Sequence, residues 1–152
     1  MRTEKDLLNR SQMMPPKFAT AVNCMDGRVQ IPVLEYLKTR YGFDYVDMIT
    51  EPGPARILAR RKERPILDSI RKRIGLSLLR HGSTMVAVAG HHDCAGNPAA
   101  EEAQFKHIAT AIKTIKSWRF DVRAIGLWVD KNWKAHEVPR PASQSKRPCA
   151  LT

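Results

Sequence analysis

The stretch that decides the fold is Met85-Val86-Ala87-Val88-Ala89-Gly90-His91-His92-Asp93-Cys94-Ala95-Gly96-Asn97. Residues 84–90 form a short apolar run that predicts a buried strand. His91 and Cys94 then lie on a loop at the carboxyl end of that strand. A neutral imidazole and a thiolate three residues apart are suitable ligands for zinc. Asn97 and Pro98 predict a helix N-cap with proline in the first turn, which starts a helix over residues 98–118.

A second strand with the same design lies upstream, at residues 17–23, and is followed by Cys24-Met25-Asp26-Gly27-Arg28. Ligands of an open α/β sheet gather outside the carboxyl ends of its strands, where the strand order reverses. If these two strands are neighbours there, Cys24 joins His91 and Cys94 as a third ligand. Either cysteine alone is typical of an ordinary buried thiol, but their joint placement favours a metal site. Two thiolates and one imidazole leave a fourth position open, as in catalytic zinc sites.

Asp26 and Arg28 stand beside Cys24 as a charged pair, and we take them as the candidate catalytic residues. A surface ion pair would contribute little to stability. Next to a metal ligand, an aspartate can instead orient a metal-bound water or occupy the open position itself. Arg28 would hold the carboxylate away from the metal by a charge-assisted hydrogen bond. The sequence leaves both states of Asp26 open.

The rest of the chain alternates between strands and helices. Further strands are predicted at 45–49, 122–129 and 133–138, helices at 4–13, 30–41 and 62–80, and a loop at 51–54. This order predicts an α/β fold: a Rossmann-like, mostly parallel central sheet of four strands plus a short edge strand, with helices on both faces. We divide the chain into an N-terminal helical arm (1–16), an α/β domain (17–138) and a tail (139–152). The tail is polar and proline-rich, so we expect it to be disordered and dispensable.

Composition narrows the classes of function. A chain of 152 residues suits one domain. Three cysteines cannot all pair, which favours a reducing, cytoplasmic compartment. The charged N-terminus lacks the apolar region of a signal peptide, and no apolar run is long enough for a membrane span.

The net charge is +11, and residues 56–80 hold nine basic and two acidic residues. A strongly basic chain is typical of proteins that bind nucleic acid. Base-reading motifs and aromatic stacking platforms are absent from the sequence, so a solvated basic helix face is the favoured interpretation.

The remaining histidines carry weaker signals. His92 is expected to face solvent or make a hydrogen bond, with an alternative ligand or a proton shuttle as the other readings. Asp93 either orients an imidazole or lies in solvent. His81 is expected to cap the end of the 62–80 helix. His107 and His136 are assigned structural roles.

Cys24-x-Asp26-x-Arg28 followed by His91-x-x-Cys94 resembles the signature of the β-class carbonic anhydrases. The resemblance covers about residues 17–138 and extends to Val88-x-Gly90-His91 at the second motif and to the segment Gly126–Trp133. It implies a zinc ion held by Cys24, His91 and Cys94, with Asp26 and Arg28 as a dyad. The implied activity is that of a lyase, carbonate dehydratase, which hydrates carbon dioxide reversibly to bicarbonate through a zinc-bound hydroxide. It also implies a homodimer or larger homo-oligomer with active sites near the subunit interface.

The sequence departs from this family at three places. Residues 51–56, Glu-Pro-Gly-Pro-Ala-Arg, replace the family's Arg-Asn-Ala-Gly-Asn, Cys94-Ala95-Gly96 replaces Cys-Gly, and the N-terminal arm is short. Carbonyl sulfide and carbon disulfide hydrolases share the metal motif and remain alternatives. A zinc protein without turnover and a basic nucleic-acid-binding domain are the other two.

Overall fold

The computed structural model describes residues 14–139. The predicted helix at 4–13 and the tail beyond residue 139 lie outside this range, and the proposed domain limits stay predictions. The strands are β1 (Phe18–Cys24), β2 (Tyr45–Glu51), β3 (Met85–His91), β4 (Arg123–Val129) and β5 (Ala135–Glu137). The helices are α1 (Gln30–Tyr41), α2 (Pro54–Arg60), α3 (Arg64–His81) and α4 (Glu101–Ser117), and a short 3₁₀ helix covers Gly27–Val29.

The five strands form one sheet in the order β2-β1-β3-β4-β5. The first four are parallel, and β5 runs antiparallel to β4. Val22 of β1 lies between Ile49 of β2 and Val88 of β3, so the two motif-bearing strands are neighbours. The predicted α/β fold class is therefore confirmed, and the carboxyl ends of β1 and β3 meet at one edge of the sheet.

Helices cover both faces of the sheet, as expected from strands that are apolar on both sides. Val33 and Leu37 of α1 pack on one face. Leu58 of α2, Ile70 of α3 and Ile108 of α4 pack on the other. All five side chains are fully buried. Among the described residues, none of these helices combines the length and the apolar character that crossing a bilayer requires.

Helix α2 was missed by the sequence analysis, which expected a loop at 51–54. Glu51 still belongs to β2, and Pro54 already begins α2, where a proline at the first helical position needs no hydrogen-bond donor. Gly53 makes the sharp turn between them with φ of 62°. The helix predicted at 62–80 is α3, which begins at Arg64 and ends at His81.

The predicted helix start at Asn97 and Pro98 is wrong. Helix α4 begins at Glu101, and Ala100 is its N-cap without a side-chain hydrogen bond. The Asn97 side chain is 2% exposed and contacts His107 instead of capping. Strand β5 is also shorter than predicted, because Trp133 has φ of 60° and belongs to the turn that precedes it.

Candidate metal centre

Cys24, His91 and Cys94 meet at the carboxyl edge of the sheet. One ligand atom from each lies within 4.8 Å of the others, and all three residues are buried. Cys24 ends β1 and His91 ends β3, so the strand order places them side by side, while Cys94 lies on the loop after β3. The structure thus brings together the three residues that the sequence analysis selected as ligands, in a group that could hold a metal ion.

His91 presents one ring nitrogen to this group. Its Nδ1 lies 2.7 Å from the main-chain carbonyl oxygen of His92, which can only accept, so Nδ1 carries the proton. The lone pair is then on Nε2, which is buried and has no hydrogen-bond partner in the described part of the chain. Burial lowers the pKa of His91, but the nearby Cys24 sulfur and the hydrogen bond to the His92 carbonyl outweigh it and raise the pKa overall. A buried imidazole nitrogen without a partner is the state expected of a metal ligand.

The two thiols lie with their Sγ atoms 3.9 Å apart. A hydrogen bond from Cys94 lowers the pKa of the Cys24 thiol, and the same contact raises the pKa of Cys94. Main-chain N–H groups of Asp26 and Gly53 also face the Cys24 sulfur and lower its pKa. Those of Gly96 and Asn97 do the same for Cys94. A bound cation would stabilise both sulfurs as thiolates.

Asp26 is bound by Arg28 and does not join the cluster of ligand atoms. The Arg28 Nη2 donates to Asp26 Oδ2 at 2.7 Å, and Nε donates to both carboxylate oxygens at 3.1 and 3.2 Å. The Arg28 main-chain N–H donates to Oδ1 at 2.9 Å. These bonds lower the pKa of Asp26 to about 2. Asp26 is therefore an ionised carboxylate held by arginine, and whether it leaves Arg28 for a bound metal stays a prediction.

A family model described as "Putative carbonic anhydrase" matches residues 14–139 of the chain. The chain belongs to that family. Two solved β-carbonic anhydrases share its fold: isoform I from the protozoan Trichomonas vaginalis and one of two tetrameric enzymes from the filamentous ascomycete Sordaria macrospora. The first has a TM-score of 0.53 and 12% identity, and the match covers 91% of this chain and 99% of that one. The second has a TM-score of 0.52 and 10% identity, with 90% and 87% covered. No curated protein sequence gives a significant match.

The predicted resemblance to β-carbonic anhydrases is confirmed by these findings. Their low identities make the structures evidence for the fold alone. The segment Glu51–Arg56, where the chain departs from the family signature, forms the end of β2, a turn and the start of α2.

Open space lies beside the cluster. A cavity of about 400 Å³ is lined by Arg28, Asp93, Cys94, Ala95, Pro98 and Ala99. Cys94 and Arg28 thus both border a space large enough for a small molecule. Arg28 also binds Asp26, so it joins the cavity lining to that carboxylate.

The roles of Asp93, His92 and His81 differ in part from those expected. The His92 carbonyl, not Asp93, orients the His91 ring, and Asp93 accepts from Arg28 Nη1 at 3.2 Å while its side chain stays 70% exposed. His92 is exposed, as expected. His81 does not act mainly as a helix cap, because Gly82 ends α3 and the His81 Nδ1 lies 2.6 Å from Asp47 Oδ2.

Two groups near the site were missed by sequence reasoning. Gln104 is 1% exposed, and its Nε2 donates to the main-chain oxygen of His91 at 2.9 Å and to that of Asn97 at 3.3 Å. The sequence did contain a signal for Gln104: it lies one helical turn before Ile108, on the apolar face of the helix, where an amide is unusual. Trp133, whose ring lies 4.4 Å from the Arg28 guanidinium carbon, gave no such signal.

Proposed function

We propose that the chain is a zinc-dependent lyase that hydrates carbon dioxide reversibly to bicarbonate and a proton. The single observation that carries this proposal is the buried Nε2 of His91, which has no hydrogen-bond partner among residues 14–139 and belongs to a group whose ligand atoms lie within 4.8 Å of those of two cysteines. The Asp26–Arg28 pair and the cavity beside the cluster support it. Membership of the family makes carbon dioxide the first substrate to test.

The donor set fits zinc. Cys24, His91 and Cys94 would hold the ion through two sulfurs and one nitrogen, the set found in catalytic zinc sites with one open position. The main-chain N–H groups that face both sulfurs stabilise the thiolates that such binding requires. When bound, zinc supplies a Lewis acid that lowers the pKa of water at the open position to about 7.

The chain's own residues supply orientation and charge. Asp26 is ionised and can accept a hydrogen bond from the attacking water, which fixes the direction of its lone pairs. Arg28 binds both carboxylate oxygens of Asp26, which keeps the carboxylate apart from the three metal ligands. The Arg28 guanidinium also borders the cavity, where it favours the anionic product over the neutral substrate.

We also propose a homodimer or larger homo-oligomer. Met25 and Ile31 are each 63% exposed, although both are large and apolar, and they flank the Asp26–Arg28 segment. The Sordaria macrospora enzymes are described as tetrameric. Light scattering at micromolar concentration tests this: a dimer or tetramer supports it, and a monomer alone contradicts it.

Free thiols at Cys24 and Cys94 support the further proposal of a reducing, cytoplasmic location.

The deciding experiment is stopped-flow hydration of carbon dioxide by zinc-loaded protein across a range of pH. We expect wild type to be active and Arg28→Ala to lose about 100-fold in kcat/KM or more with zinc content unchanged. Asp26→Asn should keep zinc and also lose activity. Arg71→Ala, an exposed arginine on α3, is the matched control and should be unchanged.

Two outcomes would contradict the proposal. A fully zinc-loaded wild type without activity at every pH overturns the hydratase, and carbonyl sulfide and carbon disulfide are then the next substrates. An Arg28→Ala variant with wild-type activity at every pH overturns the role of the dyad.

A further inference from the structure

The Arg28 side chain is held on three sides although it is half exposed. Its guanidinium contacts the Asp26 carboxylate, the Asp93 carboxylate and main-chain oxygen, and the indole of Trp133. An arginine at 47% exposure has many rotamers in solvent, and an isolated surface ion pair fixes it only weakly. The contacts beyond Asp26 therefore restrict the guanidinium further than the Asp26 bonds alone.

The two residues that supply the extra contacts both have strained backbones. Asp93 has φ of 56° and Trp133 has φ of 60°, and they are two of the four non-glycine residues with positive φ in the described range. A bulky side chain rarely adopts this conformation, and such strain concentrates at functional sites. Here both strained residues lie against the same guanidinium.

The turn that carries Trp133 is built to keep this geometry. The Trp133 N–H donates to the Asp130 carbonyl at 2.9 Å. The Asp130 Oδ1 accepts from the N–H groups of Asn132 and Lys134, and Oδ2 lies 2.6 Å from His136 Nε2. Trp133 also packs against the apolar core beneath α1, and its ring centroid lies 6.5 Å from that of His91. The indole is therefore a fixed surface rather than a mobile side chain.

We infer that Trp133 is a positioning residue for Arg28: its indole face keeps the guanidinium aligned with Asp26, so that the Asp26 carboxylate stays apart from Cys24, His91 and Cys94. This inference rests on the proposed function for its consequence in catalysis. A guanidinium is attracted to the face of an indole, and the ring also blocks its movement towards solvent. Without the ring, the guanidinium can turn towards solvent, and Asp26 is then released towards the metal ligands.

Nuclear magnetic resonance of metal-free protein tests the contact without turnover. The Arg28 Cδ protons, which make no hydrogen bond, should be shifted upfield by the indole ring current in wild type. The shift should be lost in Trp133→Leu and partly kept in Trp133→Phe, which retains an aromatic face. A wild-type Arg28 resonance at the random-coil position overturns the inference, and this measurement needs no variant to fold.

The visible spectrum of cobalt-substituted protein tests the consequence. Arg28→Ala, which releases Asp26 fully, gives the reference spectrum for carboxylate ligation. Trp133→Leu should move towards that reference and lose at least tenfold in kcat/KM, while Trp133→Phe stays within about twofold of wild type. In an Asp26→Asn background, Trp133→Leu should leave the spectrum unchanged, because the carboxylate is gone. Trp118→Leu, which removes a tryptophan from the core on the other face of the sheet, should leave the spectrum as in wild type.

The outcomes separate this inference from the proposed function. A folded Trp133→Leu with the wild-type cobalt spectrum, alongside an altered Arg28→Ala, overturns the inference alone. Wild type that shows the resonance shift and the predicted spectra but does not hydrate carbon dioxide overturns the proposed function alone.

Discussion

Gly53 and Gly96 lie backbone against backbone next to the two cysteines. A Cβ on Gly53 would lie 2.6 Å from the main-chain carbon of Gly96, and a Cβ on Gly96 would lie 2.4 Å from that of Pro52. The N–H of Gly53 faces the Cys24 sulfur, and the N–H of Gly96 faces the Cys94 sulfur. The contact between the glycines therefore joins the two loops whose N–H groups face the sulfurs.

Gly96→Ala should disrupt this contact. Because the new Cβ meets main-chain atoms, which cannot rotate away, the two segments must separate, and we expect a loss of about 1–3 kcal/mol in unfolding free energy. Zinc content after dialysis should fall as well, since the sulfurs move apart. Gly53→Ala should cost more, because φ at Gly53 is 62°.

Gly27→Ala is the matched control, because no other atom lies within 4 Å of its Cβ position. Its unfolding free energy should stay within about 0.5 kcal/mol of wild type. Wild-type stability and zinc content in Gly96→Ala would show that the contact does not set the site. Urea unfolding and elemental analysis measure both quantities.

The sequence predicted the sheet and the meeting of the three ligands because both follow from local patterns. Apolar runs at 17–23 and 84–90 predicted β1 and β3, and the motif after each run marked a carboxyl end. The contact of Gly53 with Gly96 could not be predicted, because it depends on the approach of two loops distant in sequence. Helix α2 was missed because prolines at 52 and 54 are typical of loops, whereas Ala55, Ile57 and Leu58 bury a helix face.

The role of Arg28 was only partly predictable. Its pairing with Asp26 follows from their spacing on one tight turn. Its contact with Trp133 depends on how the β4–β5 turn folds over the sheet edge, which no residue pattern near Arg28 encodes. The mistaken N-cap at Asn97 has a similar cause, since the Asn97 side chain is occupied by His107.

Gln104→Met should loosen the loop between β3 and α4. The substitution keeps the volume but removes the donor to the main-chain oxygens of His91 and Asn97. Buried carbonyl groups that lose a donor are costly, so we expect a loss of about 2–3 kcal/mol in unfolding free energy. Weaker zinc retention should follow, because His91 and Cys94 border this loop.

Lys106→Met on the same helix is the control, because its side chain is 77% exposed. Its unfolding free energy should match wild type. Equal stability and equal zinc retention in Gln104→Met and Lys106→Met would contradict the role assigned to Gln104. Both are measured by urea unfolding and by competition with a chelator.

His107 should make stability depend on pH. Burial, and then the charges of Arg60 and Arg56, lower its pKa. The Asn97 Nδ2 lies 3.0 Å from Nδ1 of His107 and donates to it, so protonation of Nδ1 would break this bond. A histidine with a lowered folded pKa contributes stability that is present above its unfolded pKa, about 6.5, and is lost as the pH falls below that value.

Comparison of metal-free wild type with His107→Gln measures this contribution. The unfolding free energy of wild type minus that of His107→Gln should be more positive at pH 7.5 than at pH 5.5, since glutamine accepts the same bond without titrating. The difference at pH 9 should equal that at pH 7.5 and serves as the internal control. A difference that is constant from pH 5.5 to 9 would refute the prediction.

Removal of the metal should destabilise the chain, because the three ligands are built for a cation. The two buried sulfurs lie 3.9 Å apart, and the His91 Nε2 is buried without a partner in the described residues. We expect one zinc per chain in protein purified without chelator. Free zinc at about 100 times the dissociation constant stabilises the folded state by about 2.7 kcal/mol, so a chelator should lower the Tm by several degrees.

Cys94→Ser should lose both the zinc and the chelator effect. Cys149→Ser, in the segment predicted to be dispensable, should lose neither and is the control. A metal-free wild type with an unchanged Tm, or full zinc retention in Cys94→Ser, would contradict the proposed ligand set.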